Sequence, residues 1–238
     1  AAARGIGFFA VTGHGLPAAQ LAGIFAAARA LFSLPLEAKE AIAIEKAGNN
    51  RGWVRLGGEA LDPTRPADLK EAFNVGLELP PDHPDILGGR AFRGLNAWPP
   101  IEGWREQVLA YFDAVWALGR LLHRPIAHDL GLPPDWFDDK LDQPLATLRL
   151  LRYPPVPAGS AGGAIGAGEH TDYGNLTLLL PDDAGGLEVK TRDGRWIQAP
   201  VLPGTFIVNI GDCLMRWTND VYVSTPHRVI HTAPRERI

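Results

Sequence analysis

Sulfur is nearly absent from this chain: its 238 residues include one cysteine, Cys213, and one methionine. A single thiol excludes an internal disulfide and fits a reducing compartment such as the cytoplasm. Cys213 follows an apolar run and reads as a buried, inert thiol. Excess positive charge is missing too. Lys and Arg number 23 against 27 Asp and Glu, for a net charge of −4, and no Lys/Arg cluster marks a face for nucleic acid. No apolar run is long enough to span a bilayer and no charged-then-apolar leader is visible, so neither nucleic acid nor membrane is expected as a partner. What remains is ordinary for a globular protein, 46% apolar and 21% charged, with length enough for one full core. A monomer is expected.

The chemistry lies in three side chains far apart in sequence, His170 and Asp172 in Glu-His-Thr-Asp-Tyr-Gly and His227 in Ser-Thr-Pro-His-Arg-Val. Two imidazoles and one carboxylate are the set that holds one face of a mononuclear non-heme Fe(II) and leaves the other face open. On an extended strand, residues i and i+2 share a face, so His170 and Asp172 are expected to reach one ion together while Thr171 points away. Between the two segments run short β-branched stretches at 175–180, 187–191, 196–199 and 205–209, separated by Asp, Gly and Pro turns. Strands at that spacing read as a sandwich or jelly roll, with His227 on a strand neighbouring His170.

The first 140 residues read mainly as helical support. Apolar residues at helical spacing predict helices over 17–33, with Pro17 in its first turn, and over 103–130, whose stripe should pack on the sheet. Shorter helices are expected, one at 34–40 and one starting over 135–138. The proline-rich stretch from Asn49 to Pro99 reads as irregular, and long loops inside a domain are often functional.

His-Thr-Asp-Tyr-Gly-Asn-Leu-Thr-Leu-Leu, Gly-Gly-Leu-Glu-Val, Pro-Gly-Thr-Phe-Ile-Val-Asn-Ile-Gly-Asp, Trp-Thr-Asn-Asp and Ser-Thr-Pro-His-Arg-Val occur here in order. Together with Gly-Ile-Gly-Phe-Phe-Ala-Val-Thr-Gly-His-Gly-Leu-Pro near the front, they make the chain resemble the isopenicillin N synthase-like 2-oxoglutarate/Fe(II) dioxygenases over nearly its whole length. The resemblance implies an α+β fold, a double-stranded β-helix (jelly-roll) core flanked by N-terminal helices. It implies a single domain over 1–238, with substrate-covering loops within 1–140 and the iron site in 141–238. The chain begins without Met and ends inside a motif, so both termini read as trimmed.

By the same resemblance, His170, Asp172 and His227 bind Fe(II) and are catalytic, with 2-oxoglutarate as co-substrate, O2 as oxidant and ascorbate as support. Arg237 matches the Arg of an Arg-X-Ser motif that grasps the distal carboxylate of 2-oxoglutarate, and the Ser would fall at position 239. A guanidinium suits that task by offering a bidentate fork; otherwise Arg237 is a solvated charge. Tyr153 matches a phenol that serves the same carboxylate, or else closes its strand as a half-buried aromatic. Arg149, four residues earlier, is a second candidate for that carboxylate. Substrate contacts are expected from Phe73, Arg51 and Tyr173, with Glu59 and Lys70 behind them, each of which could instead be structural. His14 would organise a turn; His83, His123, His128 and His231 have no partner at ligand spacing.

The activity implied is hydroxylation or desaturation of a small organic substrate coupled to oxidative decarboxylation of 2-oxoglutarate. Two alternatives stand beside it: a family oxidase or ethylene-forming-like enzyme with atypical co-substrate use, and a non-catalytic jelly-roll binding protein.

Overall fold

β-Branched runs punctuated by Gly and Pro build short strands here, and apolar residues at helical spacing build the helices. The computed structural model describes residues 1–59, 68–156, 164–231 and 233–238. In chain order the first elements are α1 (Ala2–Gly5), β1 (Phe8–Val11), α2 (Ala18–Phe32), α3 (Leu36–Ala41), α4 (Ile44–Ala47), β2 (Gly52–Val54) and β3 (Glu71–Gly76). Next come α5 (Pro84–Leu87), α6 (Trp104–Asp129), β4 (Thr147–Arg152), β5 (Ala164–His170) and β6 (Leu176–Leu179). The chain finishes with β7 (Leu187–Lys190), β8 (Trp196–Gln198), β9 (Phe206–Ile210), α7 (Asp212–Trp217) and β10 (His227–His231). Among the described residues no helix is long and apolar enough to cross a membrane.

Contacts divide the chain into two compact units, one from Ala1–Gly15, Leu56–Lys70 and Arg152–Ile238, the other from Leu16–Arg55 and Glu71–Leu151. The first contains two antiparallel sheets, ordered β1-β9-β6 and β5-β10-β7-β8. This is the jelly-roll part of an α+β fold. β1 joins it from the front of the chain, pairing Phe8 with Asn209 and Val11 with Phe206. All five residues of β9 are buried, while β10 alternates, with His227, Val229 and His231 inward and Arg228 and Ile230 half-buried. That alternation is what a strand with one face on a core requires.

The second unit pairs α2 with α6 and carries the sheet β2-β3-β4. Trp104, at the start of α6, donates its indole N–H to the Ala27 carbonyl (2.9 Å) and meets the Phe73 ring edge-on at 5.4 Å. The partners of the long stripe within this unit are thus a helix and the small sheet.

Several local expectations need correction. Pro17 caps α2 from outside, with extended backbone, and does not occupy the first turn. The stretch 135–138 forms turns leading into a 3-10 helix at Asp138–Lys140. The span read as irregular contains β2 and β3, buried at every position; short strands buried on both faces lack the alternation that would reveal them. After β9 the chain enters α7, where Cys213 is half-buried, its thiol pushed up in pKa by desolvation.

Candidate active site

His170 and His227 are directly paired across β5 and β10. Facing positions on antiparallel strands hold their side chains close, and here the ring centroids lie 4.3 Å apart. Each Nδ1 meets a backbone carbonyl, Gly168 O at 2.7 Å for His170 and Thr225 O at 3.1 Å for His227. A carbonyl only accepts, so each Nδ1 donates, and in a neutral imidazole this leaves Nε2 with the lone pair.

Both Nε2 atoms lie 3.8 Å from Asp172 Oδ1. Candidate ligand atoms of all three residues fall within 4.8 Å of one another. The expected route to this geometry was different. β5 ends at His170, so Asp172 does not share a strand with it. Asp172 is held instead from β9 and the start of α7: Asn209, on β9, donates to its Oδ2 (2.8 Å), and the Asp212 N–H donates to its backbone carbonyl (2.7 Å).

Electrostatics follow from this packing. Burial, followed by the neighbouring His227 ring, lowers the pKa of His170, which favours the neutral imidazole. For Asp172 burial alone would raise the pKa, but hydrogen bonds from Asn209 and Thr177 and the two imidazoles together bring it below the usual value. A lowered carboxylate pKa at Asp172 and a lowered imidazole pKa at His170 both favour the deprotonated forms that bind a divalent metal.

A buried ion pair stands behind His170. Asp68 is 1% exposed and Lys70 4%, with Lys70 Nζ donating to Asp68 Oδ2. Asp68 Oδ1 accepts the N–H of Gly168 (3.0 Å), whose carbonyl in turn accepts Nδ1 of His170. The β5–β10 register shifts between His227 and Val229, leaving Gly168 in the bulge to make these contacts.

A second buried cluster surrounds Arg237. Its backbone pairs with that of Tyr153 in both directions (2.8 and 3.1 Å), and its guanidinium lies 4.7 Å over the Tyr153 ring. Arg237 is 4% exposed, and its Nε and Nη1 are buried with no hydrogen-bond partner among the described residues. The Tyr153 ring rests on Gly166, where a Cβ would approach its carbons to 2.7 Å. These orphaned donors fit an arriving carboxylate.

The remaining candidates are dispersed. Tyr173 is 89% exposed. Phe73 has no exposed surface and packs the core of the second unit, where Arg51 is also buried. Arg51 donates to Asn50 O (2.9 Å), and burial, then Arg93, lowers its pKa. Arg149, on β4, is exposed and donates to Asn74 Oδ1 (3.0 Å). Lys70 is committed to Asp68, with Glu59 3.5 Å away. His14 meets the Gly204 carbonyl (2.9 Å), as a turn-organising residue does. Sequence reasoning passed over Asn209 and Asp68. A polar residue inside the apolar Phe-Ile-Val-Asn-Ile run was a usable signal for Asn209; Asp68 offered none.

Comparison with known proteins agrees with this geometry. Residues 1–101 match the family described as non-haem dioxygenase in morphine synthesis N-terminal, and residues 144–238 match the 2OG-Fe(II) oxygenase superfamily. A 2-oxoglutarate-dependent dioxygenase of Didymella fabae is 39% identical over 234 residues, covering 94% of this chain and 71% of the relative. This chain is a member of the 2-oxoglutarate/Fe(II)-dependent oxygenases. Another relative of the oxygenase is the 2-oxoglutarate-Fe(II) type oxidoreductase hxnY of Emericella nidulans, 37% identical over 97% of this chain and 68% of its own length. Among solved structures, a full-length Neurospora crassa protein in complex with alpha-KG matches with TM-score 0.83 and 31% identity, covering 97% of this chain and 73% of that one. The oxygenase uses Fe(II) and 2-oxoglutarate.

Proposed function

We propose that His170, Asp172 and His227 hold the iron of this oxygenase, and that Arg237 and Tyr153 receive the distal carboxylate of 2-oxoglutarate. The observation carrying the reading is the convergence of the two Nε2 atoms and Asp172 Oδ1, each side chain oriented from behind by a hydrogen bond. When bound, Fe(II) supplies the oxygen chemistry that couples decarboxylation of 2-oxoglutarate to hydroxylation or desaturation of the substrate. The protein's own residues do the placing. Asn209 and the two carbonyls fix the ligand directions. Arg237 orients the co-substrate by its fork, and Tyr153 and Gly166 shape a dry wall beside it. The unpartnered nitrogens of Arg237 favour 2-oxoglutarate over co-substrate-free oxidase chemistry, and an intact triad speaks against a non-catalytic binding protein.

The substrate is proposed as a small organic molecule; the Neurospora crassa relative has also been solved in complex with alpha-KG and thymine. Tyr173 is carried forward as a contact at the rim of the site because of its exposure beside Asp172, while Phe73, Arg51 and Arg149 are supported less by their packing. A monomer in the cytoplasm, with ascorbate as support and no nucleic-acid partner, completes the proposal.

The test is anaerobic addition of 2-oxoglutarate to the Fe(II)-loaded protein, followed by succinate release in air with and without a small-molecule library. The charge-transfer band expected of the wild type should vanish in His170→Ala and Asp172→Ala. In Arg237→Ala it should persist at higher co-substrate concentration, with affinity lower by about 2–5 kcal/mol. A band that survives in the His170 and Asp172 variants would sink the assignment of the metal ligands.

A further inference from the structure

The turn between β6 and β7 places a carboxylate, Asp182, beside Arg237. The two side chains are 8% and 4% exposed, and Asp182 Oδ1 lies 3.8 Å from Arg237 Nε. That separation is too long for a hydrogen bond but short enough for strong attraction in a poorly solvated setting. The carboxylate's hydrogen bonds go to backbone: Oδ1 accepts the N–H of Ala184 and Oδ2 the N–H of Ile238, each at 3.0 Å. Arg237 keeps Nε and Nη1 without partners among the described residues.

We propose that Asp182 is a positioning residue for Arg237, and the idea rests on the reading that Arg237 takes the distal carboxylate of 2-oxoglutarate. A buried guanidinium needs a compensating charge. A carboxylate in direct two-point contact would give that compensation but would consume the fork needed for the co-substrate. Asp182 avoids the conflict by standing off. It offsets the charge from 3.8 Å and pins the residue after Arg237 through the Ile238 N–H. On the other side, the Tyr153 backbone pins Arg237 itself. The guanidinium is thereby aimed from both flanks over the Tyr153 ring, its donors still available. The neighbouring charges do not share this task. Arg235 pairs with Asp183 at the surface, and Arg152 pairs with Glu236.

The test compares two keto acids on the Fe(II)-loaded protein under anaerobic conditions. 2-Oxoglutarate carries the distal carboxylate; 2-oxopentanoate has the same keto-acid head and ends in a methyl. In Asp182→Asn, which keeps shape and one acceptor, and in Asp182→Ala, the Kd for 2-oxoglutarate should rise about ten- to a hundred-fold. The Kd for 2-oxopentanoate and the Fe(II) affinity should stay at wild-type values. Equal weakening of both acids would reduce Asp182 to a general folding role and overturn the proposal. So would unchanged 2-oxoglutarate binding, or tighter binding, which would mean that Asp182 competes with the co-substrate. If the wild type binds both acids equally, Arg237 does not hold the distal carboxylate, and the co-substrate reading falls together with the role of Asp182.

Discussion

For a single imidazole, usefulness as a ligand depends on which nitrogen carries the proton, and at His170 and His227 a backbone carbonyl makes that choice. For Asp172 the corresponding partner is Asn209, 3% exposed in the middle of β9. Removing the Asn209 amide should let the carboxylate rotate. Asn209→Ala is therefore expected to weaken Fe(II) binding by about ten- to a hundred-fold, the usual cost of losing such a supporting group. Competition with a chromophoric chelator measures it, and unaltered affinity would show that Asp172 needs no such anchor. His-X-Asp was legible in the sequence as a ligand pair, although the shared-strand direction that suggested it is not the one the fold uses. Asn209 was less so, since a lone amide in an apolar run announces burial without naming its partner.

Between strands, the β5–β10 pair carries most of the site. His227 faces His170 in register, and the shifts that follow carry the pairing to Ile230 opposite Ile165 and His231 opposite Ala164. Over this pair lies the Tyr153 ring, with Gly166 beneath it and His231 6.0 Å away. A methyl at position 166 would meet two ring carbons at 2.7 Å. Gly166→Ala should therefore push Tyr153 aside, costing about 1–3 kcal/mol of stability as overpacking does. The affinity for 2-oxoglutarate should fall with it, and denaturant unfolding and co-substrate titration read the two effects separately. An alanine variant with wild-type values in both would show that the ring is not confined there. That the two ligand segments lie on neighbouring strands was expected from the runs of short strands between them. The bulge that turns Gly168 toward Asp68 was not, because a register shift depends on two strands at once.

For the molecule as a whole, buried histidines set an acid limit to stability. His123 is 5% exposed and His231 2%, and burial lowers the pKa of each, against the raising effect of a carbonyl partner, Gly119 for His123 and Pro154 for His231. Below the ordinary imidazole value near 6.5, the unfolded chain takes up protons that the folded one refuses. Stability is therefore fully present above that value and declines as pH falls through it. The midpoint of thermal unfolding should drop between about pH 7.5 and 5.5, and His123→Gln should flatten the slope; an unchanged slope would clear His123 of any part in it. Local chemistry was decided by the amino-acid order alone: where the turns and β-branched runs of the second half fall, and the presence of two imidazoles and a carboxylate in motifs of one oxygenase family. Such features depend on neighbours a few residues apart. Tertiary structure alone decided that Asp172 leaves the strand of His170 and is held from β9. It also decided that Asp68 reaches Gly168, and that Asp182 stands beside Arg237 without occupying its fork. Those arrangements depend on through-space distances between segments 37 to 100 residues apart, which local sequence pattern does not encode.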